Sequence, residues 1–163
     1  MNSSMPSYSI ASPVGLIADT HGLLRDEALV LLQGCELILH LGDVGNKEED
    51  KAILEHLETL APVHCVQGNI DTAAWAGSLP LHQDIMVNDH HLHLVHRLAD
   101  FDPSTPCDAV LHGHSHKPRN ETQSGKLLFN PGAAGKRRFK LPITLGKLWI
   151  DQRGIRGAII HLL

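Results

Sequence analysis

Residues Leu111–Pro118 read LHGHSHKP and place three histidines within five positions. Such crowding is unfavourable for protonated imidazoles, which repel one another, but neutral imidazole is a common metal ligand. The small residues on either side of His114 allow a tight loop that directs His114 and His116 toward one centre. His112 belongs to the preceding strand and is not expected to be a ligand. This stretch alone is a weak signal of a metal site, so the other strand ends decide.

The same stretch follows one of five predicted strands, and the other four also end on residues that bind metals. These strands read PVGLIAD, CELILHLGD, VHCVQGN, HHLHLVH and CDAVLHG. The residues at or just beyond their ends are Asp19 with His21, Asp43, Asn69, His96, and the pair His114 and His116. Function in open α/β sheets gathers beyond the carboxyl ends of strands. We therefore expect these side chains to meet in one pocket.

Alternation within HHLHLVH separates the histidines of that strand into two groups. His96 shares a face with two leucines and continues the apolar, inward line to the strand end. His91 and His93 fall on the opposite face, where we expect a solvated hairpin.

The order of elements predicts an α/β fold. LLRDEALVLLQG and KEEDKAILEHLETLA have helical spacing and separate the first three strands, which predicts parallel strands joined by right-handed crossovers. Hairpins follow around Asn88-Asp89 and Gly125, and a closing strand pair ends the chain. We expect two mixed β-sheets packed as a sandwich flanked by helices. Residues 13–163 form a single domain in this interpretation, and residues 1–12 a flexible tail.

Composition restricts the partners. The formal net charge of the 163-residue chain is −4, so nucleic acid is not expected as a stable partner. Three scattered cysteines indicate free thiols in a reducing compartment. The N-terminus has no signal-peptide pattern, and no apolar stretch has membrane-spanning length. We therefore expect a cytoplasmic protein without a membrane partner.

The segments DTH, GD, GN, VH and GHSH, in that order, are followed by NPGA at Asn130–Ala133. With them the sequence resembles the calcineurin-like metallophosphoesterase superfamily, and in particular its small single-domain bacterial and archaeal phosphodiesterases. The resemblance implies a four-layer αββα fold and two bound metals. By this resemblance Asp19, His21 and His116 hold one metal, Asn69, His96 and His114 hold the second, and Asp43 bridges both.

Two positions depart from the family pattern. Many members have GNH, whose histidine protonates the leaving group, but Ile70 stands there in this chain. Arg97 follows His96, where a glycine is common. We predict substrate binding by Arg97 and by the basic run GKRRFK, where Lys136 and Arg137 are the main candidates and Arg138 is a third. The alternative is that these charges form a solvated surface.

The ligand set favours phosphate ester chemistry. Two divalent ions and two carboxylates leave a net charge of about +2, which attracts a phosphate anion. We expect a phosphodiesterase in which a metal-bridging hydroxide attacks a small phosphodiester in line, with Asp43, Asn69 and His96 as catalytic residues. Mixed nitrogen and oxygen ligation disfavours Mg and Ca and fits Mn, Ni, Fe, Co or Zn. The resemblance favours Mn.

Several alternatives stay open at this point. The fold also serves as a non-catalytic protein-binding scaffold in the eukaryotic retromer subunit, and a phosphomonoesterase is a third hypothesis. Asp71 either orients the ligand imidazoles or caps the turn after Asn69. Small relatives form dimers or tetramers, so a homo-oligomer is a further expectation.

Overall fold

Two β-sheets form the core of the protein in a computed structural model that describes residues 5–163. In chain order the strands are β1 (Ser7–Tyr8), β2 (Val14–Ile17), β3 (Leu37–His40), β4 (Val63–Cys65), β5 (His82–Val87), β6 (His90–Val95), β7 (Ala109–Leu111), β8 (Arg119–Gln123), β9 (Lys126–Asn130), β10 (Thr144–Asp151) and β11 (Gly154–His161). The helices are α1 (Asp26–Leu32) and α2 (Lys51–Glu58), with 3-10 turns at Glu48–Asp50, Ala74–Ser78 and Leu98–Asp100.

Both sheets are mixed, as the sequence predicts. The five-stranded sheet has the order β11-β10-β2-β3-β4, in which β2, β3 and β4 are parallel. The six-stranded sheet has the order β1-β5-β6-β7-β9-β8, in which β6, β7 and β9 are parallel. The chain therefore brings the carboxyl ends of five parallel strands to loops that carry the candidate ligands.

Aliphatic side chains from the inner faces of the two sheets fill the space between them. Phe129 of β9 is the largest fully buried side chain and packs where two strands of the opposite sheet carry glycine. A Cβ atom at Gly157 would lie 2.6 Å from the ring of Phe129, and one at Gly146 would also clash with it. Those glycines make room for the ring.

The helices cover one sheet only. Ala28 and Leu32 of α1 and Leu57 of α2 pack on the outer face of the five-stranded sheet. The outer face of the six-stranded sheet is covered by Leu98, Phe101 and Cys107, from a 3-10 turn and the loop after it. The two-sheet sandwich is confirmed, but the fourth layer of the predicted αββα arrangement is reduced to this segment. Within residues 5–163, no helix has the length and apolar character needed to cross a membrane.

The predicted flexible tail over residues 1–12 needs correction. Residues 1–4 lie outside the described part of the chain, but β1 pairs in parallel with β5. The hydroxyl of Tyr8 lies 2.6 Å from Nε2 of His64, and Glu36 accepts hydrogen bonds from the backbone of Ala11 and Ser12. These contacts could not be predicted from the sequence, because a strand of two residues is too short to show alternation.

Candidate metal centre

All seven predicted ligands lie at or just beyond strand ends, and the structure brings them together. Asp19 and His21 follow β2, Asp43 follows β3, and Asn69 follows β4. His96 follows β6, while His114 and His116 follow β7. Six of them form two groups whose ligand atoms lie within 4.8 Å of one another, Asp19, His21 and His116 in one and Asp43, His96 and His114 in the other. The seventh, Asn69, adjoins the second group.

The first group surrounds the buried carboxylate of Asp19. Its Oδ1 atom lies 3.6 Å from Nε2 of His116 and 3.9 Å from Nε2 of His21. The centroids of the two imidazole rings are 5.1 Å apart. These distances leave room for a cation that all three side chains could contact.

The second group includes the amide of Asn69. Its Oδ1 atom lies 3.1 Å from Nε2 of His96 and 3.1 Å from Nδ1 of His114. Oδ2 of Asp43 lies 3.2 Å from the same Nε2 of His96. The group therefore offers two oxygens and two imidazole nitrogens to one ion.

Asp43 connects the two groups. Besides its contact with His96, its Oδ2 atom lies 3.4 Å from Nε2 of His21 in the first group. Its Oδ1 atom accepts a hydrogen bond from the backbone N–H of Ile70, at 3.0 Å. A carboxylate placed between two ligand groups is the arrangement that a bridging ligand requires.

Unpaired buried atoms test whether a cation fits this site. Within residues 5–163, Oδ1 of Asp19 and Nε2 of His21 are buried without a hydrogen-bond partner, as is Nδ1 of His116. Buried polar atoms are almost always paired, and each exception calls for an explanation such as an ion. The first two atoms face each other across the first group. The residues present therefore fit a bound cation.

The backbone of the ligand loops is unusual. Five of the seven candidate ligands have positive φ angles, namely Asp19 (53°), His21 (46°), Asp43 (58°), His114 (73°) and His116 (64°). Left-handed backbone at non-glycine residues is uncommon and concentrates at functional sites, where surrounding contacts hold it in place. Local strain therefore marks the same residues as the side-chain geometry does.

Burial sets the protonation of the first group. It raises the pKa of Asp19 to about 7, because the carboxylate is removed from water. Burial, followed by the influence of His21, lowers the pKa of His116 to about 4, so this imidazole is neutral at pH 7. A bound cation would favour both the ionised carboxylate and the neutral imidazole, which are the ligand forms of these residues.

The second group has an ionised carboxylate at its centre. Burial by itself raises the pKa of Asp43, but the nearby imidazoles of His21 and His96, whose Nε2 atoms lie 3.4 and 3.2 Å from Oδ2 of Asp43, outweigh it and hold the pKa well below its usual range. Nδ1 of His96 lies 2.7 Å from the backbone oxygen of Leu41 and donates to it, which turns Nε2 toward the metal centre.

Asp71 does not orient an imidazole. Its Oδ2 atom accepts hydrogen bonds from the backbone N–H groups of Asp43 and Gly68, at 2.9 and 2.8 Å, and its Oδ1 atom accepts one from Gly45 at 3.1 Å. The alternative role, capping the turn after Asn69, is the one that the structure supports. In addition, Asp71 ties the β3 and β4 loops together.

The NPGA segment supports the histidine loop, a role that the motif alone did not specify. Nδ2 of Asn130 donates to the backbone oxygen of Gly113 and to Oγ of Ser115, both at 3.1 Å. Asn130 is fully buried. It therefore fixes the loop that carries His114 and His116.

The predicted substrate-binding residues differ in whether they line a cavity beside the ligand groups. Arg97 lines the cavity next to Asn69 and His96, and its guanidinium pairs with Asp100 at 3.0 Å. Lys136 and Arg137 are exposed, and Arg137 donates to the backbone oxygen of Leu141. Of the basic run, Arg138 and Lys140 line a cavity together with His114.

Two cavities open beside the second ligand group. The Asn69 cavity, of about 850 Å³, is lined by residues that include Asn69, His96, Arg97 and His82. The Phe139 cavity, of about 1040 Å³, is lined by His114, Ser115, Lys117, Arg138, Phe139, Lys140 and Leu141. Neither cavity could be predicted from the sequence, because both are built from loops far apart in the chain.

Comparison with known proteins gives the family. Residues 13–153 match the model of the calcineurin-like phosphoesterase superfamily domain. A protein of Methanothermobacter thermautotrophicus named "Probable metallophosphoesterase" is 30% identical in an alignment of 163 positions, gaps included, that covers 91% of each chain.

Solved structures share the fold at lower identity. A structure described as a novel archaeal phosphodiesterase has a TM-score of 0.71 and 20% identity, with 91% of this chain and 99% of that chain covered. A single mutant of Vps29 from Entamoeba histolytica also has a TM-score of 0.71 and 20% identity, with coverage of 91% and 98%. Three observations point to the same family: the two ligand groups at the strand ends, the family model that matches most of the chain, and the archaeal relative. The chain belongs to the calcineurin-like phosphoesterase superfamily, among its small archaeal and bacterial metallophosphoesterases.

Proposed function

We propose that this protein is a phosphodiesterase that uses two divalent metal ions, with Mn as the preferred metal. The observation that carries the proposal is the pair of ligand groups joined by Asp43. Asp19, His21 and His116 would hold one ion. Asn69, His96 and His114 would hold the second, and Asp43 would contact both.

Hydrolysis of a phosphodiester at this site would need two Lewis-acidic metal ions and ligands that hold them in fixed positions. When bound, the ions supply positive charge that polarises the phosphate and makes a hydroxide nucleophile available near neutral pH. The chain contributes the fixed positions of the ligands, because Asp71, Asn130 and the backbone of Leu41 restrain the loops that carry them. Pre-organised ligands of this kind need little rearrangement during reaction.

The two cavities favour a diester over a monoester. A phosphodiester carries two organic substituents. The Asn69 cavity lies beside Asn69 and His96, and the Phe139 cavity lies beside His114, so each could take one substituent. A phosphomonoester would need only one of them. Lys117, Arg138 and Lys140 give the Phe139 cavity positive charge, so it suits a substituent that is itself anionic or aromatic.

The first prediction concerns the bridging ligand. With Mn present, we expect the parent protein to hydrolyse bis(4-nitrophenyl) phosphate faster than 4-nitrophenyl phosphate. Asp43→Asn and His116→Ala should each lose at least about 100-fold of kcat/KM, because each removes a ligand from the cation pair. Release of 4-nitrophenolate measures all of these rates.

His56→Ala is the matched control, since His56 is exposed on α2, away from the ligand groups. It should retain the parent rate. Equal rates for Asp43→Asn and the parent would contradict the proposal, and a preference for the monoester would refute the diester assignment.

The competing function is a binding scaffold, because Vps29 structures share this fold. A complete ligand set favours the enzyme. Metal analysis separates the two: the enzyme should retain about two equivalents of Mn per chain, whereas a scaffold needs none.

A further inference from the structure

A second cluster of titratable side chains lies outside the metal centre, on the outer face of the six-stranded sheet. His82 and Asp84 come from β5, and His91 and His93 come from β6. The antiparallel register sets Asp84 directly opposite His93. His82 is the diagonal neighbour of His93, and His91 is the diagonal neighbour of Asp84, so each pair lies within reach of long side chains.

These side chains form a hydrogen-bonded chain. Oδ1 of Asp84 lies 2.8 Å from Nδ1 of His93 and 2.8 Å from Nε2 of His91. Nε2 of His93 lies 3.0 Å from Nδ1 of His82. His93 is buried, with its ring 5.1 Å from that of Phe101, so the expectation that His93 faces solvent is wrong. The cause is the 97–107 segment, which covers this face.

The charge of Asp84 determines which ring nitrogen of His93 carries a proton. Partial burial raises the pKa of Asp84, but the hydrogen bonds with His93 and His91 outweigh it and lower the pKa, so the carboxylate is ionised. An ionised carboxylate only accepts, so Nδ1 of His93 carries its proton. When His93 carries a single proton, its Nε2 atom is an acceptor, and Nδ1 of His82 donates to it. Nε2 of His82 is left on the far side of the ring.

His82 also lines the Asn69 cavity, together with the metal-ligand candidates Asn69 and His96. The other titratable residues of this cavity are engaged. Asp71 accepts from backbone N–H groups, and Arg97 and Asp100 pair with each other. The usual family position for a proton donor is occupied by Ile70. His82 is therefore the side chain in this cavity that has a free ring nitrogen and no competing partner within residues 5–163.

We propose that His82 is the proton donor to the leaving group, and that His93 and Asp84 position it. The inference rests on the proposed phosphodiesterase activity. Hydroxide forms a new bond to phosphorus while the bond to the leaving oxygen breaks, and its electron pair stays on that oxygen. The oxygen takes the proton from Nε2–H of the His82 imidazolium, and solvent returns a proton to neutral His82. The leaving alcohol then occupies the Asn69 cavity.

Leaving-group dependence tests the proposal. A good leaving group needs no proton, whereas an alkoxide does, and general acid catalysis contributes about 10²–10⁴-fold. With Mn-containing protein and a series of methyl phosphate diesters, His82→Gln should change kcat for 4-nitrophenol release by less than about 3-fold. The loss should grow to about 100-fold for alkyl alcohols. Asp84→Asn should show the same trend, with a smaller loss for alkyl alcohols.

The control is His90→Gln, since His90 belongs to β6 but does not line the cavity. It should match the parent for every diester, and all variants should retain the parent metal content. An independent readout is the ¹⁵N NMR spectrum of the histidine rings, where neutral His82 and His93 should both carry the proton on Nδ1.

Equal losses for His82→Gln across the series, or no loss at all, would overturn the role of His82 while leaving the phosphodiesterase activity intact. A neutral His82 with its proton on Nε2 would also overturn it. A parent protein that hydrolyses no diester would refute the proposed function and this inference together.

Discussion

At the scale of single residues, the ligand positions combine left-handed backbone with burial. Asp19 and Asp43 both have positive φ angles and are almost fully buried. Each residue held in such a conformation costs about 1–3 kcal/mol. A bound cation would offset part of this cost, because a ligand that binds only the folded state stabilises it. We therefore expect metal to stabilise the fold as well as to serve the reaction.

His40 illustrates how a buried histidine responds to pH. Its Nδ1 atom accepts from the backbone N–H of Gly42, and its Nε2 atom lies 3.1 Å from Oγ1 of Thr20. Oγ1 of Thr20 donates to Val44, so Nε2 of His40 is the donor in that pair. Burial, followed by the nearby His96, lowers the pKa of His40 to about 3. A second proton would have to displace the Gly42 N–H.

We predict that His40 makes the fold sensitive to acid. Below pH 6.5 the unfolded chain binds a proton at His40 that the folded protein excludes, so stability falls as the pH drops from 6.5 toward 3. Between pH 6.5 and 5 this loss is about 1.5 kcal/mol. His40→Gln should remove that part of the pH dependence. Urea unfolding of metal-free protein at both pH values measures it.

The control is His56→Gln, at an exposed position of α2. It should keep the full pH dependence of the parent. An unchanged slope in His40→Gln would mean that other groups cause the acid sensitivity.

At the scale of elements, the candidate metal centre depends on how closely the strand-end loops approach each other. Gly68 follows β4 and lies against the β3 loop, where a Cβ atom would clash with the backbone nitrogen and Oδ1 of Asp43. Gly113 is similar, since a Cβ atom there would lie 3.0 Å from Oδ2 of Asp19. A side chain at position 68 would therefore displace the β3 loop, whereas at position 113 its neighbours would have to move only slightly.

We predict that Gly68→Ala weakens metal binding by at least about 10-fold, because it displaces Asp43 from its position between the two ligand groups. Isothermal titration of metal-free protein with Mn measures the affinity. Gly77→Ala is the matched control, since nothing lies within 4 Å of a Cβ atom there. If both variants bind Mn equally well, the close contact of the two loops is not what positions Asp43.

At the scale of the whole molecule, much of the fold and the ligand set could be predicted from the sequence. The order β-α-β-α-β follows from apolar runs and helical spacing, and polar residues at strand ends meet because parallel strands point the same way. The hairpin turn at Asn88 and Asp89 was also predictable, and both residues have the positive φ that such a turn needs.

What escaped prediction depends on contacts between distant segments. The pairing of Tyr8 with His64 and the burial of His93 under Phe101 leave no periodic trace in the sequence. The helix layer missing from the six-stranded sheet could not be recognised, because Leu98–Asp100 is too short to show helical spacing. The role of Asp71 could not be decided from the sequence, because its partners are backbone groups of the β3 and β4 loops.

The central claim is that seven side chains from five strand ends hold two metal ions. Anomalous diffraction from crystals of Mn-containing protein tests it most directly. Two peaks should appear roughly 3.5–4 Å apart, one among Asp19, His21 and His116 and one among Asn69, His96 and His114, with Asp43 in contact with both. A single peak, or peaks away from Asp43, would contradict the account.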